Sequence, residues 1–359
     1  MKKGFVFYIH SVAGLVSGIF ILLMSLSGAV LIFHDDIDLV QLPAVIEAGN
    51  KIASVDDYYS SVQKQYPDAQ ISNCILPSAS DKPVSFFIYD SSYKNGTKAL
   101  EVFLHPQTAT VLNTRSAGAG FISWLSKFHN SFHLGKTGEW LLGFFALIFL
   151  VSIVTGIILF RKNILAVLIF RKSVYKRSNL HQLIAVYALL FNLMIAVTGF
   201  WMQRYVFKKE FYTSYDYTAV LKVSPALPFS FDSAYNEIKE QQPDFTARVI
   251  YFAQSNKGKT AVYGSRSRNA YIHSKKFADV IFLDSTGVVL KTRFINEIDV
   301  ADRYDIINSQ LHMGKFGGAG IKISYFVFGL TGALLSITGF LIWWRRTKGN
   351  RRKGVLSKS

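Results

Sequence analysis

Residues 10–28 read HSVAGLVSGIFILLMSLSG, and residues 181–199 read HQLIAVYALLFNLMIAVTG. Each stretch opens on a histidine, closes on a glycine 18 positions later, and is apolar in between. That reading decides the fold, because a helix of about 20 apolar residues crosses about 30 Å of hydrocarbon. Four runs meet the requirement: Val12–Phe33, Leu141–Phe160, Leu183–Met202 and Ile323–Trp344, none holding an Asp, Glu, Lys or Arg. Half of the 359 residues are hydrophobic, which places the chain among membrane proteins.

The formal net charge of +17 would suggest a nucleic-acid binder if the charges were spread along the chain. They are not. Lys2 and Lys3 precede the first run, and Arg161, Lys162, Arg171, Lys172, Lys176 and Arg177 fill 161–178. Seven more basic residues follow from Arg345, whereas all 23 acidic residues fall within 34–140 and 203–322. This is the positive-inside bias of a multi-pass membrane protein, and it predicts both termini and the 161–178 loop in the cytoplasm. No nucleic-acid partner is needed to explain the charge; the expected surroundings are membrane lipid. The first apolar run is about twice as long as a signal-peptide core, and LIFHDDID offers no small-residue cleavage site, so it reads as an uncleaved anchor. A lone cysteine, Cys74, leaves no disulfide framework and no thiolate cluster.

The pattern divides into a first membrane helix (1–34), an extracytoplasmic module (35–117), a second helix with an extracytoplasmic extension (118–162) and a basic loop (163–178). A third helix (179–207), a second module (208–305), a fourth helix with its extension (306–346) and a basic tail (347–359) repeat the order. Within the modules, VFLHPQTATVL (102–112) and IFLDSTGVVL (281–290) each read as strand, tight turn, strand, with His105 as a surface turn residue. A helical stretch precedes each, DDYYSSVQKQYP (56–67) and DSAYNEIKEQQP (232–243). The expected fold is an α-helical four-helix transmembrane bundle carrying two extracytoplasmic α+β modules, built by internal duplication about an axis along the membrane normal.

Chemistry concentrates in the histidines. His10 and His181 fall at the cytoplasmic ends of their helices; His129, His133 and His312 fall at extracytoplasmic ends. One group therefore faces another at each membrane surface. Small residues trail from the first and third helices' histidines: Gly14, Ser17, Gly18, Ser25 and Gly28 in one, Ala185, Ala188, Asn192, Ala196 and Gly199 in the other. Helix packing alone accounts for such stripes, and a single histidine at a helix end is an ordinary interfacial residue. Ionisable groups at repeated positions in membrane segments are costly, however, and point to function. Structural zinc wants three or four converging ligands; two or three imidazoles per face, without thiolates, suit haem iron, which needs one or two axial ligands. In FHNSFHLGKTGEW (128–140), two alignments compete. HLGKTG against HMGKFG equates His133 with His312, whereas the shared 27-residue spacing to Gly156 and Gly339 equates His129 with His312.

The ordered set of segments is specific where each piece alone is weak. HSVAGLVSGIFILLMSLSGAVLIF, then FHNSFHLGKTGEWLLG closing in VTG, then LHQLIAVYALLFNLMIAVTGF, then LHMGKFGG closing in SITGFLIWWRR, resembles the PepSY-associated transmembrane family over nearly the whole chain. The resemblance implies an iron-regulated bacterial inner-membrane protein with periplasmic PepSY-like modules. Characterised relatives are ferric-siderophore reductases that bind b-type haem. It implies two haem b groups, an inner one on His10 and His181 and an outer one on His129 and His312. His129 is thereby preferred over His133, which becomes a neighbour touching a propionate or lining a substrate cavity with His34. The implied reaction is one-electron reduction of a ferric siderophore or other Fe(III) chelate, releasing Fe(II) into the periplasm. The expected electron donor is a membrane quinol or a cytoplasmic flavin reductase, since no dinucleotide-type glycine loop is visible. RYVFKKEFYTSYDYTAV (204–220), Arg266 and Arg268 are candidates to face the chelate. The competing reading is a non-enzymatic PepSY protein regulating a periplasmic protease or an uptake system. A transporter is disfavoured because no proline interrupts the four runs.

Overall fold

A computed structural model describes residues 3–45, 52–77, 79–90, 98–171, 179–208, 227, 229–253, 258–267, 269 and 272–356. Residues 172–178, the aromatic stretch 209–220 and Arg268 lie outside the described residues. In chain order the elements are α1 (Lys3–Leu31), α2 (His34–Gln41), α3 (Val55–Gln65), β1 (Ala69–Ile75), β2 (Val84–Asp90), β3 (Lys98–Leu104) and β4 (Val111–Ser116). Then come α4 (Phe121–Ser131), α5 (Gly135–Phe160), α6 (Ile164–Leu168), α7 (Leu180–Tyr187), α8 (Leu189–Gln203) with a closing 3-10 turn (Arg204–Phe207), and α9 (Phe231–Gln241). The chain finishes with β5 (Phe245–Tyr251), β6 (Thr260–Arg266), β7 (Asp279–Leu283), β8 (Val289–Arg293), α10 (Val300–Met313) and α11 (Ala319–Leu356). Two compact units result, one from 1–35, 122–214 and 308–359, the other from 36–121 and 215–307.

The first unit is helical. Among the described residues three helices are long and apolar enough to cross a membrane: Gly4–Leu31, Gly135–Phe160 and Ala319–Lys348. Apolar side chains such as Ile19, Leu147 and Phe340 are exposed on them, a surface suited to hydrocarbon rather than water. The fourth expected span is broken. Leu180–Tyr187 and Leu189–Phe207 meet at an angle of 67°, so the absence of proline does not keep this run straight, and one ground for setting a transporter aside is removed. The break lies at Ala188, whose carbonyl accepts the Asn192 amide N–H at 2.8 Å and also the Asn192 side chain, Nδ2, at 3.1 Å. Asn192 Nδ2 donates to Thr331 Oγ1 of α11 as well, at 3.0 Å. α1 packs along α11 and α5, α5 on α8, and α11 on α7. Small residues permit the closest approach: a Cβ added at Gly332 would meet Ser25 Oγ, and one at Gly329 would touch Ala29.

In the second unit eight antiparallel strands form one sheet among the described residues, ordered β4-β3-β2-β1-β5-β6-β7-β8. The two halves were expected as separate modules. Instead they join through the central β1–β5 pair, in the register Asn73↔Tyr251, Cys74↔Ile250 and Ile75↔Val249. One core serves both halves. Tyr58 and Val62 of α3 and Phe231 and Ile238 of α9 pack with Ile71, Phe86, Ile250, Val262 and Ile281 of the strands. Cys74 is fully buried there, and burial pushes its thiol well above the usual range, so it is an inert filler.

The helices α3 and α9 start beside each other and cap one another. Asp232 accepts from the amides of Val55 and Asp56 at 3.2 and 3.3 Å, while Asp56 accepts from Phe231 N, Asp232 N and Ser230 Oγ at 2.8, 3.4 and 2.6 Å. Each carboxylate satisfies the orphan N–H groups of the other helix. Burial, with the Asp56 charge adding to it, holds Asp232 above the usual carboxylate range. Both expected hairpins form, β3–β4 and β7–β8. In the second, Asp284 Oδ1 accepts from Thr286 Oγ1, Thr286 N and Val288 N at 2.7, 2.8 and 3.0 Å, and these bonds hold it below its ordinary value. In the first, His105 is buried, not a surface residue.

Arg266 also departs from expectation. It ends β6 at 2 % exposure, stacked 3.7 Å over the Phe294 ring and bonded to Glu297 Oε1 at 3.1 Å, with Asp279 Oδ2 at 3.5 Å. A guanidinium so enclosed braces the end of β6 against the start of β7 and is not presented to a chelate.

Candidate functional site

Four histidines line up as two facing pairs in the helical unit. α1 carries His10; α7 carries His181 as its second residue, fixed by a capping box between Asn179 and Gln182. The two rings stand 6.3 Å apart between centroids, at 73°. α4 and α10 carry His129 and His312 in their last turns, and these rings are 6.5 Å apart at 49°. The chain breaks just after each. Phe132 and His133 have φ of 50° and 60°, which ends α4 and lets α5 restart at Gly135; Gly314, with φ of 64°, ends α10.

Each ring is gripped in the same way, a feature the sequence reading passed over. Nδ1 of His10 lies 3.1 Å from Thr155 Oγ1, that of His181 2.9 Å from Thr338, that of His129 2.8 Å from Ser27, and that of His312 3.0 Å from Thr198. Every one of these hydroxyls already donates its hydrogen to the carbonyl four residues back, at 2.7 Å: Val151, Leu334, Leu23 and Met194. The hydroxyl oxygen must therefore accept, so the hydrogen-bond network assigns the proton to Nδ1 and leaves Nε2 with a lone pair.

The residue after each hydroxyl is glycine, and the same ring lies against it. A Cβ added at Gly28 or Gly199 would sit 3.0 Å from Cε1 of His129 or His312; at Gly156 and Gly339 it would sit 3.3 and 3.4 Å from Cε1 of His10 and His181. A Ser/Thr-Gly dipeptide thus cradles each imidazole. The usable signal was the recurrence of that dipeptide after the 18- and 27-residue spacings. Those spacings pointed along single helices and within one chain direction, whereas the contacts cross between helices: His10 meets Gly156 and His129 meets Gly28.

The outer pair borders a cavity of about 390 Å³, lined also by Gly28, Gly199, Met24, Phe145 and Asn192. His34 and Lys315 are on its lining, with Lys315 Nζ 2.9 Å and Asp35 Oδ1 3.0 Å from His34 Nε2. His133 is placed elsewhere: it is exposed beside Trp124 and Phe128, at 5.1 and 6.3 Å between centroids, and it is not on the cavity lining. The ring that faces His312 is that of His129. His129 and His312 lie on helices outside the spanning segments. Burial drives both to about 4; the neighbouring His312 adds to the effect at His129, and an Ile195 backbone contact opposes it at His312. Both are neutral imidazoles, the form that ligates metal.

Among the described residues no three His, Cys, Asp or Glu side chains converge as a metal cluster would require. The donor set is two pairs of imidazoles, short of the three or four ligands of a zinc site. Two metal–nitrogen bonds of about 2 Å plus two half-rings span about 6.3 Å, close to the 6.3 and 6.5 Å observed. Each glycine lets its imidazole lie against the helix backbone, and the cavity beside His129 and His312 falls within the size of cofactor sites. These residues fit an iron porphyrin with two axial imidazoles.

The family described as the PepSY-associated TM region matches residues 7–346. No curated protein matches the chain.

Proposed function

We propose that this chain, which belongs to the PepSY-associated TM family, is an inner-membrane reductase holding two haem b groups and serving a ferric siderophore or other Fe(III) chelate in the periplasm. His10 and His181 hold one haem, His129 and His312 the other. The haems, when bound, supply one-electron transfer. The polypeptide supplies position: the Ser/Thr hydroxyls keep each Nδ1 protonated and each Nε2 available, and the glycines let each ring lie against the helix backbone. Apolar neighbours such as Met24 and Phe145 keep water from the outer pair, while Lys315 and His34 offer polar contacts to an anionic group. A chelate of hard oxygen donors holds Fe(II) far more weakly than Fe(III), so one electron suffices to release the metal.

The finer architecture belongs to the same proposal. The two halves form a four-helix bundle by duplication, with Leu180–Phe207 as one bent span and both termini cytoplasmic; the distribution of basic residues supports that orientation. A membrane quinol or a cytoplasmic flavin reductase is the donor.

The observation that carries this reading is the pair of facing imidazoles, found twice, each with Nδ1 anchored. The test is the absorption spectrum of the purified protein, oxidised and dithionite-reduced, after expression with ample haem. Two b-type haems per chain by pyridine haemochrome are expected; a preparation without a Soret band would sink the proposal.

A further inference from the structure

We infer that the four Ser/Thr-Gly cradles are positioning elements that rank the two sites, making the His10–His181 pair the stronger donor to its metal and the site of lower midpoint potential. This rests on the haem reading above. An acceptor on Nδ1–H pushes electron density into the ring and makes Nε2 a more basic ligand. A more basic axial ligand favours the ferric over the ferrous state, which lowers the potential.

The cradles are alike except in one respect. His129 donates to Ser27 Oγ alone among the described residues, and His312 to Thr198 Oγ1. On the other side, His181 donates to Thr338 Oγ1, but His10 faces two acceptors, Thr155 Oγ1 at 3.1 Å and the Ser152 carbonyl at 3.0 Å. The Leu335 and Ile195 backbones make a further contact to His181 and His312, one in each pair, and so do not alter the ranking. The surplus is the Ser152 carbonyl, which lies one turn before Gly156 and survives any side-chain change at Thr155. Within the outer pair His129 is the most weakly supported, because among the described residues its Nδ1 has the Ser27 hydroxyl as its single acceptor, with no backbone carbonyl beside it. The asymmetry orders the sites so that electrons run downhill from the His10–His181 side toward the His129–His312 side, with no proton displaced from any of the four rings.

The experiment is a spectroelectrochemical titration of the full-length, haem-loaded protein in detergent, with haem stoichiometry measured on every sample. Two midpoints are expected for the wild type. His10→Ala and His181→Ala should each retain the haem of higher midpoint. Ser27→Ala should raise the higher midpoint and leave the lower in place; Thr338→Val should raise the lower alone. Thr155→Val should likewise act on the lower midpoint alone, with the Ser152 carbonyl still accepting from His10. Ser27→Thr and Thr338→Ser should return the wild-type values, a rescue that mere packing would not give. Loss of the outer haem in Ser27→Ala with recovery in Ser27→Thr would equally support the positioning role. The inference is overturned if His10→Ala keeps the lower-midpoint haem, or if Ser27→Ala and Thr338→Val keep both haems with both midpoints unmoved. A wild-type protein without a Soret band would instead remove the haem reading itself, and the two failures are told apart by the spectrum.

Discussion

Alanine at the four cradle glycines separates the outer pair from the inner one. At Gly28 and Gly199 the new Cβ lies 3.0 Å from Cε1 of His129 and His312, where ordinary contact begins near 3.4 Å, so each ring must retreat by about 0.4 Å. At Gly156 and Gly339 the distances are 3.3 and 3.4 Å, so almost no movement is needed. The outer rings have little freedom to retreat, because each is pinned through Nδ1 at 2.8 or 3.0 Å to the residue just before the same glycine. Overpacking of this kind costs about 1–3 kcal/mol, which is roughly a tenfold or greater loss of affinity for the group held there. An opposing term exists: replacing a helical glycine by alanine regains up to about 1 kcal/mol of backbone stability. At the inner glycines that gain meets no clash, so Gly156→Ala and Gly339→Ala should be neutral or mildly stabilising. The assay is haem content per chain together with the rate of haem transfer to an apo-globin acceptor. Gly28→Ala and Gly199→Ala should each speed loss of one haem about tenfold. If the inner substitutions release haem as readily as the outer ones, the steric reasoning is wrong.

Other outcomes follow from the same geometry. His129→Ala and His312→Ala should lose the same haem, His10→Ala and His181→Ala the other, and His133→Ala neither; haem stoichiometry decides, and loss in His133→Ala alone would reverse the choice of ligand. His129 and His312 titrate near 4 when folded against an ordinary 6.5, so the unfolded chain binds more protons between these values. Stability of the haem-free protein should therefore be full above about 6.5 and decline as pH falls toward 4. A melting temperature whose acid slope is the same in wild type and in the His129→Ala, His312→Ala double variant would count against it. Asp56→Ala removes three bonds at the start of α9, and Asp232→Ala two at the start of α3. Each should weaken the local structure by about 1–2 kcal/mol, read as faster hydrogen exchange at the Phe231 and Val55 amides respectively; unchanged protection there would refute reciprocal capping.

Reach along the chain separates what was readable from what was not. Hydropathy is a property of adjacent residues, so the apolar runs could be placed from composition alone. The turn chemistry of Asp284–Gly287 and the helical stretches of 56–67 and 232–243 are equally local, and they form where expected. Contacts between distant segments were not readable in this way. The sheet closes through β1 and β5, which lie far apart in sequence, and that pairing merges two expected modules into one core. Arg266 looked like part of a basic loop because Asp279, Glu297 and Phe294 are distant in sequence and enclose it only after β6 and β7 pair. Nor could the bend at Ala188 be seen, because no proline marks it in the sequence.

The histidines show the boundary most clearly. From the sequence alone the imidazoles could be placed toward the ends of apolar runs, and charge asymmetry gave an expectation of the membrane side of each. The 27-residue spacing and the family resemblance already prefer His129 over His133; the folded chain adds that its ring faces His312 and that each ring is cradled by the Ser/Thr-Gly of a different helix. The physical reason is that hydropathy and charge act residue by residue. A ring's tautomer and spacing are instead set by hydroxyls and glycines brought beside it when helices pack.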